Sequence, residues 1–219
     1  MVTKKSKSED ATLERYRVSL DNAEAQNEIK TALAELGMDS DEIKKGKTLF
    51  NTTRKAYDEN KLEDDETSGA YEAFSDKREQ LTEVYGMHRK KAKVIFRKDP
   101  LTLKKLDING SIPESHIKWI EMVRKFYSVA LADTDIQSKL TRLKISVDDL
   151  NEAQSLISEV EATRSAYLIE KGESQEATRV KDNAFALLDD WMSEFYAIAR
   201  IGLEDKPQLL EALCKIVRN

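Results

Sequence analysis

The stretch AKVIFRKDP, Ala92 to Pro100, returns as ARIGLEDKP, Ala199 to Pro207, and 199 − 92 = 107 sets a register for the whole chain. At that spacing Leu33 and Leu36 lie over Leu140 and Leu143, Ile29 over Ile136, Asp41 over Asp148, Leu49 over Leu156, and Leu103 and Leu106 over Leu210 and Leu213. Similar residues recurring at one offset along about a hundred positions describe an internal duplication. A second echo, TRKAY at 53–57 and TRSAY at 163–167, departs from the register, because 163 − 53 = 110. An added helical turn in the second copy, offset by a shorter following loop, accounts for the three extra residues; chance similarity of two amphipathic helices accounts for them as well.

Both opening stretches end in an X-Pro pair, and proline disfavours helical geometry in the residue before it, so a helix stops at each. Helix starts are marked by DSDEI at 39–43 and SVDDL at 146–150, where a capping side chain precedes acidic first-turn residues. These signals predict helices A (9–37), B (40–60) and C (68–98), then A′ (114–143), B′ (147–170) and C′ (174–204). Helix B carries Ile43, Gly46, Phe50, Thr53 and Tyr57 at alternating steps of three and four, and C continues with Tyr71, Phe74, Leu81, Tyr85, Ala92 and Ile95. Such stripes bury against antiparallel neighbours. The fold class is all-α: an internally duplicated antiparallel helical bundle of six long helices, with B, C, B′ and C′ as a four-helix core and A and A′ connecting or flanking it. A disordered lead at 1–8 precedes one domain, 9–219, made of repeats at about 9–107 and 113–217.

Composition agrees with this class and excludes several functions. With 219 residues, 40% of them hydrophobic, the chain can bury a sizeable core, and only 7 Gly and 3 Pro interrupt it. The 41 Asp and Glu against 36 Lys and Arg argue against a dedicated polyanion binder. Cys214 is the single cysteine, which rules out an internal disulfide and suits a reducing cytoplasm. No apolar run approaches the ~18 residues of a membrane span. The expected setting is cytoplasmic, with no membrane and no nucleic acid among the partners.

Searching for chemistry yields little. A carboxylate-bridged metal pair needs Glu-x-x-His, but Tyr85 stands three before His88 and Pro113 three before His116. No Gly-rich phosphate loop, nucleophile elbow or Cys/His pair is present. No catalytic, cofactor or metal residue is assigned, and the chain is not read as an enzyme. The basic run HRKKAKVIFRK at 88–98 complements the negative end of helix C, and the matching end of C′ carries Glu204 and Asp205 instead. Gly46, at the position of Ala153, marks a close helix crossing rather than a binding loop, and Trp191 reads as core.

Four residues remain as candidates for a polar pocket or an interaction surface: Arg78, His88, Trp119 and Phe126. At the spacing of 107, Arg78 lies over Phe185 and His88 over Phe195, so C is polar where C′ is aromatic. The bland expectation is an Arg stem lying on apolar surface and an imidazole reaching solvent; the functional one is a desolvated or paired His88. Trp119 and Phe126 belong, with Ile120, Val123 and Tyr127, to an aromatic face of A′ that exceeds what one bundle needs and motivates a homodimer.

The run LLDDWMSEFYAIARIGLEDKPQLLEAL at 187–213, with its W-x-S-x-F and A-R-I-x-L-E-D-x-P-Q-L-L patterns, resembles the C-terminal part of a bacterial family of duplicated helical proteins of unknown function. Gly202 departs from the small apolar residue that family carries. The resemblance implies an all-helical fold and brings no activity. The functional expectation is a helical scaffold or protein-interaction module that binds a protein partner or itself; the alternative is a small-molecule-binding bundle with a pocket between the repeats.

Overall fold

The computed structural model describes residues 8–214, and among them every regular element is helical. The expected lead lies, apart from Ser8, outside the described residues. The elements are α1 (Glu9–Ala25), α2 (Asn27–Glu35), α3 (Ser40–Ile95), α4 (Pro100–Lys105), α5 (His116–Ala132), α6 (Thr134–Thr141), α7 (Val147–Gly202) and α8 (Leu209–Ala212). No helix among the described residues is long and apolar enough to cross a membrane.

Both predicted cap sites start helices. Asp39 accepts hydrogen bonds from the N–H groups of Asp41 and Glu42 at 2.9 and 3.1 Å, opening α3. At α7, Ser146 Oγ accepts from Asp149 N–H at 3.1 Å while the Asp149 carboxylate accepts from Ser146 N–H at 2.7 Å, a reciprocal capping box. Both helices run 56 residues, and their boundaries repeat the sequence register: 147 − 40 = 202 − 95 = 107. The backbone specials follow the same spacing. The described residues with positive φ are Gly37, Asp107, Lys144 and Cys214, which pair as 144 − 37 = 214 − 107 = 107.

Three expectations are corrected here. The breaks between B and C and between B′ and C′ do not exist, because KLEDDET is rich in residues compatible with helix and Gly69 costs only about 1 kcal/mol relative to alanine. Predicted helices A and A′ are each split at one extended residue, Gln26 and Asp133. Finally, α3 and α7 have equal length, so the added turn offered for the TRKAY/TRSAY echo is absent and chance similarity stands.

The chain forms two compact units, and they do not follow the repeats. Among the described residues, the first comprises 8–64 and 173–214; the second is Asp65–Gly172. In the first, Leu13, Leu20, Ile29 and Leu33 of α1 and α2 bury with Ile43 and Tyr57 of α3 and with Leu188, Met192 and Phe195 of α7. In the second, Leu81, Tyr85 and Ala92 of α3 bury with Val123, Phe126 and Tyr127 of α5, Leu140 of α6 and Leu150, Ile157 and Val160 of α7. The A segments are thus core elements rather than flanking ones, since their apolar stripes supply many of the fully buried residues.

Within the first unit α3 and α7 run antiparallel: Thr53 Oγ1 donates to Ala184 O at 3.0 Å and Asn60 Nδ2 to Thr178 Oγ1 at 3.1 Å. The two helices also meet at Gly46, where an added Cβ would fall against the Trp191 indole. Trp191 is half-buried rather than fully core, stacked on Phe195 with centroids 5.5 Å apart. Gly46→Ala should therefore destabilise by about 1–2 kcal/mol despite alanine's higher helix propensity. Combined with Trp191→Leu the loss should vanish, as urea denaturation of the single and double variants will show.

Because each core draws on both repeats, residues 1–110 carry an incomplete share of each. That fragment is predicted to lack a cooperative thermal transition, whereas residues 65–172, which hold one whole core, should melt cooperatively. Calorimetry of the two fragments checks this, and sharp melting of 1–110 would refute it.

Candidate functional site

All four candidate residues fall in the second unit, where the stripe Arg78, Leu81, Tyr85, His88 and Ala92 on α3 faces α5 and the start of α7. The steps of three, four, three and four keep these side chains on one helix face. The structure sorts them into two groups.

Arg78 and Trp119 come together. The guanidinium carbon lies 5.5 Å from the indole centroid, within cation–π range. His116, which the sequence offered only as a failed metal ligand, joins them one turn before Trp119, at 5.9 Å from the indole and 5.5 Å, edge-on, from Phe74. The Arg78 Nε and His116 Nδ1 atoms are shielded from solvent without a hydrogen-bond partner. Burial holds the His116 imidazole below its ordinary pKa, and the Arg164 and Arg78 cations act in the same direction against Glu161.

His88 and Phe126 meet only through Tyr127. His88 is 6% exposed, and its Nδ1 lies 3.1 Å from the Tyr127 hydroxyl. The expectation of an imidazole reaching solvent is overturned: α5 closes over this part of α3 and buries the ring. Phe126 packs edge-on against Tyr127 at 5.0 Å and against Tyr85 at 5.5 Å. Burial lowers the His88 pKa, with Asp149 opposing and Lys91 adding to the fall. Burial also pushes the Tyr127 hydroxyl well up, and Tyr85 to about 12, so all three groups are neutral near pH 7. The arrangement ties a polar pair together inside an apolar core. It presents a hydrogen bond rather than a charge.

The aromatic face of A′ is not a surface. Trp119, Ile120, Val123, Phe126 and Tyr127 are all buried in the core of the second unit, so the ground for a homodimer through that face is withdrawn.

Two surface features of the second unit were not picked out beforehand. One groove is lined by Val84, Met87, His88, Asp149, Glu152, Ala153 and Leu156, where α3 and α7 meet. The other is a cleft between the end of α3 and the end of α6, lined by Val94, Ile95, Arg97, Lys98, Arg142 and Leu143. Val94 and Leu143 expose 57% and 37% of their surface there. None of the three cations forms an ion pair among the described residues. The basic run at 88–98 signalled half of this cleft; Arg142 and Leu143 join it only through the turn after α6.

The sign of the His88 shift gives a test. Above about pH 6.5 the imidazole is neutral folded or unfolded, and below it the unfolded chain takes up a proton that the buried ring resists. Stability should therefore fall as pH drops from about 7 to 5, with His116 contributing in the same direction. The His88 ring resonances should titrate with a midpoint below about 6.5 in an NMR pH series, and the double substitution His88→Phe/Tyr127→Phe should flatten part of the stability loss.

Compared with protein-family models, with curated proteins and with solved structures, the chain matches none.

Proposed function

We propose that this protein is a cytoplasmic, internally duplicated helical scaffold whose work is to bind another protein. The observation that carries the reading is the cleft of Val94, Ile95, Arg97, Lys98, Arg142 and Leu143: exposed aliphatic side chains bordered by three cations with no ion-pair partner among the described residues. Apolar centre and charged rim is the anatomy of a protein interface. The duplication is supported by helix boundaries and positive-φ residues that recur at 107, positions under backbone rather than side-chain control. The four sequence candidates support the scaffold reading by their roles, since Trp119, Phe126 and His88 are occupied in packing and Arg78 lies against Trp119.

A second reading, a small-molecule site between the repeats, is favoured by the groove beside His88, which draws residues from both repeats. There the imidazole would supply one polar contact among Val84, Met87 and Leu156.

The triple substitution Arg97→Glu, Lys98→Glu, Arg142→Glu tests the first reading. It should leave the melting temperature within a few degrees, because exposed charges contribute little to stability, and should remove the partners that the wild-type chain retains from a host lysate. An unchanged set of partners would reject the cleft as the binding surface.

A further inference from the structure

The surface that corresponds to the basic cleft at the spacing of 107 keeps its exposed aliphatic pair and reverses its charge. Val94 corresponds to Ile201 and Leu143 to Leu36, while Arg97, Lys98 and Arg142 correspond to Glu204, Asp205 and Glu35. Ile201 and Leu36 are as exposed as their counterparts, at 64% and 43%. Glu35, Glu204 and Asp205, like the three cations, form no ion pair among the described residues. Nearby charges of the other sign are engaged: Lys206 pairs with Glu28 at 3.1 Å, and Asp99 accepts from Thr102 Oγ1 at 2.7 Å.

The two surfaces differ in relief as well as charge. In the second unit Ile95 lines an open cleft. In the first unit its counterpart is Gly202, and a Cβ there would stand 3.0 Å from Ala32 O and 3.3 Å from Leu36 Cδ1. The ends of α2 and α7 therefore lie close together, with the Leu36 side chain against Gly202, while Ile201 and Leu36 remain exposed next to acidic residues in the sequence. One surface is a cation-rimmed cleft with apolar walls, and the other an exposed apolar pair with acidic neighbours.

We propose that the protein partner of the basic cleft is a second copy of this chain, bound through Leu36, Ile201, Glu35, Glu204 and Asp205 of its first unit. The inference rests on the reading of the cleft as a binding surface and names its occupant. Complementary charge steers the encounter and fixes the register, and the four aliphatic side chains leave water on contact. Because the two surfaces are different, the contact is heterologous. A pair leaves one surface of each kind unused, the acidic one on one copy and the basic one on the other, so association continues past a pair unless the geometry closes it into a ring.

Sedimentation velocity and light scattering on the full chain test this. The average mass should rise with protein concentration at ~0.15 M salt and fall toward the monomer at ~1 M, where charges are screened beyond about 3 Å. The variant Arg97→Glu/Lys98→Glu/Arg142→Glu has two acidic surfaces, and the variant Glu35→Lys/Glu204→Lys/Asp205→Lys has two basic ones. Each alone should stay monomeric at concentrations where the wild type associates, and mixing them should restore association. A wild-type mass that stays monomeric at all concentrations overturns the inference, as does association that survives in either variant alone. The lysate experiment separates this failure from that of the parent reading: a monomeric wild type whose partners are still lost on reversing Arg97, Lys98 and Arg142 leaves the cleft a binding surface for a different protein.

Discussion

The arrangement of this protein depends on how two long helices are shared. Helices α3 and α7 each run 56 residues, and each gives one half of its apolar stripe to one core and the other half to the other core. An isolated helix of ordinary composition is held chiefly by what its apolar face buries, so a stripe divided in this way obliges segments from both repeats to meet. Each core combines the A and B segments of one repeat with the C segment of the other. Folding of either unit is therefore tied to long-range contacts, and the sequence repeat is a unit of pattern rather than of stability.

Within this common frame, equivalent positions solve the same packing problem with different chemistry. The first unit sets Phe195 and Leu20 in its core, and the second sets His88 and Tyr127 at those positions, where the hydroxyl and the ring nitrogen satisfy each other. Losing either polar partner alone would strand the other, a cost of about 1–3 kcal/mol, so such a pair is retained or replaced together. The chain segments that end the two repeats are held in the same spirit. Ser19 Oγ donates to Leu213 O at 3.0 Å and Asn22 Nδ2 to Ala212 O at 2.7 Å, while in the second unit the Arg89 guanidinium donates to the carbonyls of Ile108 and Gly110. Volume is exchanged too: Gly46 with Trp191 in one unit stands where Ala153 and Val84 stand in the other.

Surface positions are under no such constraint, so charge can differ between corresponding positions more freely than packing can. Reversing an exposed charge costs little in stability, whereas adding a methylene to a filled core costs 1–3 kcal/mol or so. A charge contrast between corresponding surfaces, beside exposed apolar residues such as Val94 and Ile201, accordingly leaves the fold undisturbed.

Local pattern was enough to determine the helical class and the helix starts at residues 40 and 147, because caps, prolines and apolar spacing act within a few residues of chain. Gly46 was legible as a close crossing for the same reason: a glycine on an apolar stripe has few other uses. The continuity of α3 and α7 through their charged middles was not picked out, since KLEDDET carries no apolar stripe to mark it as helix although its residues are compatible with one. Nor could periodicity say that C would pair with A′ and B′, or that His88 would lie under α5, because an amphipathic stripe states that a face is buried and not what buries it. That choice is made by tertiary contacts between segments far apart in the chain, where the burial of many side chains together outweighs the preference of any one.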